Sequence, residues 1–283
     1  QGVSNADIIR IDGKLAQRQD SHTGFAGGLN TWQPLGVTGL AGDKVILYVG
    51  GEKKTQGEKT SLAVIATQYH GESSNVFTQV GALRIGPNEI TIPKIMSMSD
   101  VEAGGQLYIR YDGGYNAEEY AVRVEIPQAQ EGASSAAKIP VLNVFGVTEE
   151  ERESRIAAYV EQLEAYDVQA MHEKYHPLAE GGFDEKNCVF GATDIAGVRE
   201  MFSLPIEGIR SGINGQSANS GRAKTQVLSD TLTAMDEFLT LSYQHKGLSD
   251  DPAAGEKNRM PVSRINIRYQ RMFEGAFMYA GGA

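Results

Sequence analysis

Two histidines and a glutamate near the middle of the chain form the motif most typical of a metal-dependent enzyme. Residues 172–176 read His-Glu-Lys-Tyr-His, which matches the H-E-x-x-H signature of zinc peptidases. On a helix, imidazoles four residues apart reach one Zn²⁺, while the glutamate between them polarises a metal-bound water. Glu185 follows His176 at a spacing that suits a third ligand. The candidate zinc site is therefore His172, Glu173, His176 and Glu185.

The helix predicted around this motif favours a different interpretation. Apolar residues recur at three- and four-residue steps from 149 to 175, which predicts one amphipathic helix. Thr148 and Glu151 have the spacing of a capping box at its start. At about 100° per residue, His172 and His176 fall opposite the centre of the apolar face. We therefore expect both imidazoles to face solvent.

The residues that follow the motif also weaken the zinc interpretation. Pro177 disfavours helical backbone at His176, which places that ligand at a fraying helix end. Gly181 and Gly182 put Glu185 on a loose connection, whereas a metal ligand needs hydrogen bonds that hold it in place. A solvated helix end is thus the alternative to a working zinc site.

The composition is that of a globular protein with room for two domains. A net charge of −10 disfavours binding to nucleic acid or to an anionic membrane, and no apolar run reaches the length of a membrane helix. The single cysteine, Cys188, excludes an internal disulfide and suits a core position better than a nucleophile. Because the chain lacks both an initiating Met and a signal peptide, we expect a processed or excised piece of a longer protein.

The first half of the chain has the period of β-strands. Short alternating segments separated by glycine-rich turns predict a β-sandwich accessory domain over residues 1–135. The predicted strands are 44–49, 61–66, 88–92, 106–111 and 120–126. Residues 128–138 have few large apolar side chains and fit a surface connection or a linker.

The second half changes to a helical period. We predict a mainly α-helical domain at 139–283, so that the fold class is α+β with an N-terminal β-sandwich followed by a mainly α-helical domain. Its predicted elements are helices at 149–175 and 224–246, a short helix capped by Thr193 or Asp194, a loop at 211–222 and a strand at 264–269.

Arginines near the end of the chain are a second group of candidates. Arg264 and Arg268 would project from one face of the last predicted strand, with Arg271 close behind. Their guanidinium groups could bind a substrate carboxylate or an acidic sugar. The alternative is a solvated strand face paired with nearby carboxylates. His245 lies in the last turn of its predicted helix, where it favours capping over catalysis.

Aromatic residues in the first half could form a platform for sugar rings. These are Trp32, Tyr108, Tyr111, Tyr115 and Tyr120. Tyrosines at alternating strand positions equally fit core or cross-strand pairs.

The order of several segments resembles the enhancin-like, mucin-degrading zinc metallopeptidases. Three segments resemble that family's N-terminal sandwich: Gly-Leu-Ala-Gly-Asp-Lys-Val at 39–45, Arg-Ile-Gly-Pro-Asn-Glu-Ile at 84–90 and Gly-Gly-Gln-Leu-Tyr-Ile at 104–109. Three more resemble the region leading into its catalytic core: Ala-Thr-Asp-Ile at 192–195, Met-Phe-Ser-Leu-Pro at 201–205 and Met-Phe-Glu-Gly-Ala-Phe-Met-Tyr-Ala at 272–280. The resemblance covers most of the chain.

This resemblance implies that the motif at 172–176 is accidental. In the family, the zinc-binding H-E-x-x-H lies after the segment that matches 272–280, usually with Gly before its second His. Here the match starts at residue 172, before that segment, and has Tyr175 in place of the Gly. The resemblance thus places the catalytic motif beyond Ala283. It assigns no catalytic, cofactor-binding or metal-binding residue within this chain.

The family resemblance also implies a function for the parent protein. We expect a secreted or surface zinc endopeptidase that acts on extracellular glycoproteins such as mucins, located outside the cell or at its surface. Zinc would be bound by the parent enzyme and not by this piece. The expected partners are glycoprotein or carbohydrate substrates, without nucleic acid and without a transmembrane segment. The alternative is a non-catalytic module that binds carbohydrate or protein.

Overall fold

The computed structural model describes residues 8–12, 32–67, 77–94, 104–113, 118–128, 134–182, 184, 188–261 and 264–269. The strands are β1 Ile8–Asp12, β2 Trp32–Gly39, β3 Lys44–Gly51, β4 Lys59–Thr67, β5 Phe77–Arg84, β6 Gly86–Thr91, β7 Gly105–Tyr111, β8 Glu119–Glu125, β9 Ala137–Lys138, β10 Val141–Asn143, β11 Ala192–Ala196, β12 Glu200–Pro205 and β13 Ile265–Arg268. The helices are α1 Glu149–Ala165, α2 Val168–Tyr175, α3 Ile206–Ser220 and α4 Lys224–His245, with 3₁₀ turns at Pro252–Ala254 and Glu256–Asn258.

Two antiparallel sheets form the first half. The first sheet has the strand order β1-β8-β3-β6, and the second has the order β5-β4-β7-β2-β9. Alternate residues of both sheets meet in one core, to which Leu47 and Val122 contribute from the first sheet and Val64 and Leu107 from the second. All four side chains are buried. Removal of this apolar surface from water stabilises the pair of sheets.

A third sheet lies in the second half of the chain, with the order β10-β11-β12-β13. The β11–β12 pair is antiparallel, while β10 and β13 are each parallel to their neighbours. Helices α1, α3 and α4 pack on one face of the third sheet. In the core between them, Ile195 of the sheet lies in one hydrophobic cluster with Ile156 of α1 and Leu232 of α4. The other face packs on the second sheet, where Met201 meets Trp32 and Tyr108. The second sheet is therefore buried on both faces.

The third sheet shows that the predicted fold class is wrong. An α+β chain with an N-terminal β-sandwich followed by a mainly α-helical domain would not contain this sheet. Residues 192–196 and 200–205 are β11 and β12, not a short helix capped by Thr193 or Asp194. Every residue of β11 is buried because the sheet is covered on both faces, so its sequence lacks the alternation that marks a half-exposed strand.

The predicted loop at 211–222 is also wrong, because most of these residues belong to α3. This segment is rich in Gly, Ser and Asn, which have low helix propensity. Ile206, Ile209 and Ile213 nevertheless recur at helical spacing and pack in the core with α1 and α4. Tertiary packing thus overrides local propensity here.

The predicted helix at 149–175 is also wrong as a single element. Helix α1 ends at Ala165, and Tyr166 has extended backbone. Asp167 then caps α2, because its carboxylate accepts a hydrogen bond from the amide of Ala170 at 3.0 Å. Tyr166 and Asp167 lie outside the helical conformation. The side chains of α2 therefore do not continue the 100° steps of α1.

Other predicted elements are confirmed. The five strands predicted in the first half coincide with β3, β4, β6, β7 and β8, within a few residues at the ends. The predicted helix at 224–246 and the strand at 264–269 correspond to α4 and β13. Thr148 accepts a hydrogen bond from the amide of Glu151 at 3.3 Å, as expected for the start of α1.

The predicted boundary between domains, with residues 1–135 on one side and 139–283 on the other, stays a prediction. Strand β9 pairs with β2 and thereby adds residues 137–138 to the second sheet. Among the helices of the described residues, none combines the length and apolarity needed to span a bilayer.

Candidate functional site

His172 and His176 are both buried, so the prediction that they face solvent is wrong. Their exposed fractions are 1% for His172 and 8% for His176. The prediction assumes that one helix continues from α1 to His176, but the helix is interrupted at Tyr166 and Asp167. The start of α2 at Val168 turns both imidazoles toward the protein interior.

His172 binds groups of the segment that leads into β11. Its Nε2 accepts a hydrogen bond from the amide of Phe190 at 3.3 Å and lies 3.1 Å from the sulfur of Cys188. Because Nε2 accepts the amide proton, the thiol of Cys188 donates to the same nitrogen. Cys188 is itself buried, as the sequence predicted for a core position. The ring centroids of His172 and Phe190 are 4.8 Å apart.

His176 binds a different group of residues, which belong to the first half of the chain. Its Nε2 lies 3.1 Å from a carboxylate oxygen of Asp43 and 3.1 Å from the carbonyl oxygen of Ser135. Both partners are acceptors, so Nε2 donates. Asp43 also accepts hydrogen bonds from Ser134 and from the amide of Leu40. The hydrogen bond between His176 and Asp43 therefore connects the end of α2 to the turn between β2 and β3.

Zinc, which the sequence resemblance implies for the parent enzyme, does not fit these residues. The Nε2 atoms of His172 and His176 point to separate partners, Cys188 and Phe190 for the first and Asp43 and Ser135 for the second. Glu173 is exposed and accepts a hydrogen bond from Gln169 at 2.8 Å. Glu185 lies outside the described residues. Within those residues, no three His, Cys, Asp or Glu side chains converge as metal ligands would.

The motif instead lies in a small hydrophobic core beside the second sheet. Phe190 is fully buried there with Ile139 and Val189, and Tyr175 packs at the margin of the cluster. The ring of His176 lies 4.5 Å from that of Phe190 at an angle of 33°. The first and last residues of the H-E-x-x-H pattern thus act as hydrogen-bonded core residues.

The two described arginines of the second candidate group, Arg264 just before β13 and Arg268 at its end, point to the same side, as predicted. Arg264 is 3% exposed, donates to the carbonyl of Trp32 at 2.9 Å and stacks on Phe145 at 4.5 Å. Arg268 donates to Thr67 at 2.7 Å. The solvated alternative is wrong for Arg264, because its side chain is enclosed between the second and third sheets.

Burial is the main influence on the charge of Arg264. It lowers the pKa of the guanidinium to about 10, although the nearby Glu200 carboxylate opposes the change. Arg271, the third arginine of this group, lies outside the described residues. His245 occupies the last turn of α4, where the sequence placed it.

Asp194 is a buried carboxylate, although the sequence predicted it only as a possible helix cap. It is 0% exposed and accepts hydrogen bonds from the Tyr108 hydroxyl at 2.7 Å and from Gln106 at 3.3 Å. Burial raises the pKa of Asp194, and the charge of Arg268 opposes the rise. The guanidinium of Arg268 lies 4.8 Å from the Tyr108 ring. This network joins β7 of the second sheet to β11 and β13 of the third.

A second buried carboxylate lies on the helix side of the third sheet. Glu200 begins β12 and is 0% exposed. Burial and the neighbouring carboxyl group of Asp236 raise the pKa of Glu200 to about 8, against the opposing effects of Arg199 and Arg264. Asp236, on α4, accepts a hydrogen bond from the amide of Arg199 at 2.9 Å. The contact holds α4 against the β11–β12 turn.

The predicted aromatic platform is absent from the described surface. Trp32, Tyr108, Tyr111 and Tyr120 are all buried, with exposed fractions of 4% or less. Trp32 and Tyr108 lie between the second and third sheets, while the other two belong to the core between the first and second sheets. They are core residues, which is the alternative that the sequence left open. Tyr115 lies outside the described residues.

Comparison of the whole fold with solved structures identifies similar proteins. The M60 catalytic domain from Clostridium perfringens ZmpC, solved in complex with the sialyl T antigen, is 18% identical with a TM-score of 0.62, over 97% of this chain and 46% of that one. The ZmpB metallopeptidase from Clostridium perfringens is 18% identical with a TM-score of 0.61, over 98% and 48%. IMPa from Pseudomonas aeruginosa, in complex with an O-glycopeptide, is 13% identical with a TM-score of 0.50, over 92% and 26%.

These matches confirm, at the level of the fold, the resemblance to enhancin-like zinc metallopeptidases that the order of segments predicted. The chain spans about half or less of the length of the three structures. No family profile matches the sequence, and no curated protein matches it either.

Proposed function

We propose that this chain is the N-terminal part of a zinc endopeptidase that acts on extracellular glycoproteins such as mucins, with its catalytic zinc motif after residue 283. Glycoprotein or carbohydrate is the substrate, and the parent enzyme is secreted or held at the cell surface. Zinc supplies a polarised water in that enzyme. None of the described residues is assigned to the metal.

The observation that carries this proposal is the likeness of nearly the whole chain to parts of peptidase structures. The match extends over 97% of this chain for the ZmpC catalytic domain, so it includes the first two sheets as well as the third. The local geometry agrees with a scaffold role. Asp194 and His176 each form buried hydrogen bonds with residues of the first half of the chain. Such bonds hold the layers in a fixed arrangement, which a catalytic site needs.

Glu173 offers a clean test, because it is the would-be general base and yet is exposed. Glu173→Gln in the parent protein removes a carboxylate whose described hydrogen bond is with the exposed Gln169. We expect cleavage of a mucin-type O-glycoprotein, followed by mass spectrometry, to stay within about twofold of the unmodified protein. The same substitution in an H-E-x-x-H encoded after residue 283 should lower the rate by a factor of about 10² to 10⁴, which is the usual contribution of a general acid or base.

Each other outcome has a distinct meaning. Loss of cleavage in Glu173→Gln, with an unchanged circular dichroism spectrum, would show that residues 172–176 form a working catalytic site. A reading frame without a later H-E-x-x-H, or a parent protein that binds O-glycoprotein without cutting it, would contradict the peptidase proposal. The second of these results would favour the alternative of a carbohydrate- or protein-binding module. The burial of Trp32 and of Tyr108 leaves that alternative without the aromatic platform that motivated it.

A further inference from the structure

Helix α4 carries apolar side chains on two opposite sides. Leu228, Leu232 and Leu239 are buried on the side that faces the third sheet and the other helices. Phe238 and Leu241 are instead 61% and 64% exposed. Because successive residues of a helix turn by about 100°, Leu241 points away from Leu239. A surface helix normally has polar residues on its outer side, so this arrangement is typical of a helix that packs on both sides.

The exposed apolar residues of α4 form one continuous stripe. Ala234, Phe238 and Leu241 follow one another at steps of four and three residues, which places them on the same side of the helix. All three are exposed, and they extend over about 10 Å of the helix axis. Single exposed apolar residues are common on protein surfaces, whereas a contiguous apolar group marks an interaction site. We call Ala234, Phe238 and Leu241 the outer stripe of α4.

Exposed apolar side chains are concentrated in the second half of the chain. Among the described residues, the large apolar side chains with substantial exposure all lie between positions 198 and 269, and Phe238 and Leu241 have the highest values. The two sheets of the first half, in contrast, enclose their common core. The outer stripe is thus the place where the second half of the chain most clearly lacks a covering layer.

The comparisons indicate what covers the stripe. The matched part of the ZmpC catalytic domain is 46% of that chain, and the matched part of ZmpB is 48%. If this chain is the first part of a peptidase, as proposed above, a comparable length of further polypeptide must pack on it. The last described strand, β13, lies beside α4, because Ile265 packs against Leu239 and Tyr243. The polypeptide that follows β13 therefore leaves from the neighbourhood of this helix.

We propose that the outer stripe of α4 is the surface on which the remainder of the peptidase domain docks, and that the docked element is a helix. The occupant belongs to the polypeptide that follows residue 283 in the same protein. A helix fits because apolar residues at steps of three and four form a ridge that packs into the groove of a second helix. The side chains of that second helix are apolar where they meet Phe238 and Leu241. This inference rests on the proposed function.

Reactivity of an introduced thiol tests whether the stripe is covered. Leu241→Cys places the thiol in the stripe, while the native Cys188 is buried. We expect a maleimide to modify position 241 at least about tenfold more slowly in the parent protein than in a chain of residues 1–283, as measured by mass spectrometry of the peptide that contains it. Glu161→Cys is the matched control, because Glu161 is exposed on α1, and it should react at the same rate in both proteins. Equal rates for Leu241→Cys in the two proteins would overturn the inference.

A pair of charged variants locates the surface on the helix. Leu241→Lys places a charge in the stripe, and we expect it to lower the melting temperature of the parent by several degrees while leaving residues 1–283 alone nearly unchanged. Gln244→Lys is the matched control, because it adds the same charge at an exposed polar position of α4 outside the stripe. A loss with Gln244→Lys as large as that with Leu241→Lys would contradict the proposal.

Two further measurements separate this inference from its premise. Light scattering of the parent shows whether a second copy covers the stripe; a dimer that Leu241→Lys dissociates would contradict the proposed occupant. The peptidase activity of the parent is measured independently. A parent that cleaves glycoprotein but leaves Leu241→Cys fully reactive refutes the docking surface alone, whereas a parent without a zinc motif refutes the proposed function.

Discussion

The buried carboxyl group of Glu200 should make the stability of this protein fall as the pH rises. Its ordinary pKa is 4.5, and in the folded chain burial and Asp236 raise the pKa to about 8. The folded state therefore binds a proton that the unfolded state has already released. This contribution is complete below pH 4.5 and is lost as the pH rises through about 8.

The size of the effect follows from proton linkage. Between the two pKa values the free energy of unfolding changes by about 1.4 kcal/mol for each pH unit. From about pH 5.5 to about pH 7.5, Glu200 should therefore remove on the order of 2 kcal/mol of stability. Glu200→Gln keeps a neutral side chain of the same shape, so it should remove this part of the pH dependence.

Urea unfolding at the two pH values, followed by circular dichroism, measures the difference. Asp194 also has a raised pKa and contributes in the same direction, so the comparison with Glu200→Gln isolates one group. Glu207→Gln is the matched control, because Glu207 lies on the surface of α3 paired with Arg210. The reasoning is refuted if Glu200→Gln retains the full pH dependence, or if Glu207→Gln reduces it equally.

Two further substitutions test the packing around the proposed scaffold. Tyr108→Phe removes the hydroxyl that donates to the buried Asp194 and should cost about 1–3 kcal/mol in urea unfolding, because a buried acceptor then lacks that hydrogen bond. Tyr120→Phe loses a bond of the same length to the partly exposed Glu118, together with the bond that the hydroxyl accepts from the amide of Ser61 at 3.1 Å. Because both of these bonds are only partly buried, it should cost less, and the opposite order would contradict the burial argument. Asp167→Ala removes the cap of α2 and should cost about 0.5–2 kcal/mol, whereas an unchanged melting temperature would show that the cap is unimportant.

Elements with one solvent-facing side could be predicted from the sequence. Strand β3 alternates buried and less buried residues, and its pattern was visible before the structure. Helix α4 has Leu228, Leu232, Leu239 and Tyr243 on one buried face. In both elements one side faces solvent and the other faces the core. Apolar and polar residues therefore recur with the period of the strand or the helix, and this period is visible in the sequence.

Elements covered on both sides were harder to predict. Strand β11 is buried throughout, so no alternation distinguishes it from a short buried helix. Helix α3 has a polar, glycine-containing sequence whose few isoleucines become informative only beside α1 and α4. Whether a segment is buried on one side or on both depends on how many layers pack around it. The periodicity of a single segment does not show the number of layers.

The buried polar groups depended on partners distant in the sequence. Asp194 meets Tyr108 across 86 positions, and His176 meets Asp43 across 133. No spacing rule identifies such pairs. The solvent-facing prediction for His176 was wrong for a local reason, because Asp167 starts a new helix where the period was assumed to continue. Asp is a favoured N-cap residue, and that signal was available in the sequence.

Zinc binding by residues 1–283 tests the central claim, that the H-E-x-x-H at 172–176 belongs to the core and is not a catalytic centre. The chain is dialysed against zinc and then against metal-free buffer, and bound metal is measured by mass spectrometry together with X-ray absorption. Because the Nε2 atoms of His172 and His176 are held by separate partners, we predict far less than one zinc ion per chain. One tightly bound zinc ion per chain, with two imidazoles in its coordination shell, would contradict the account.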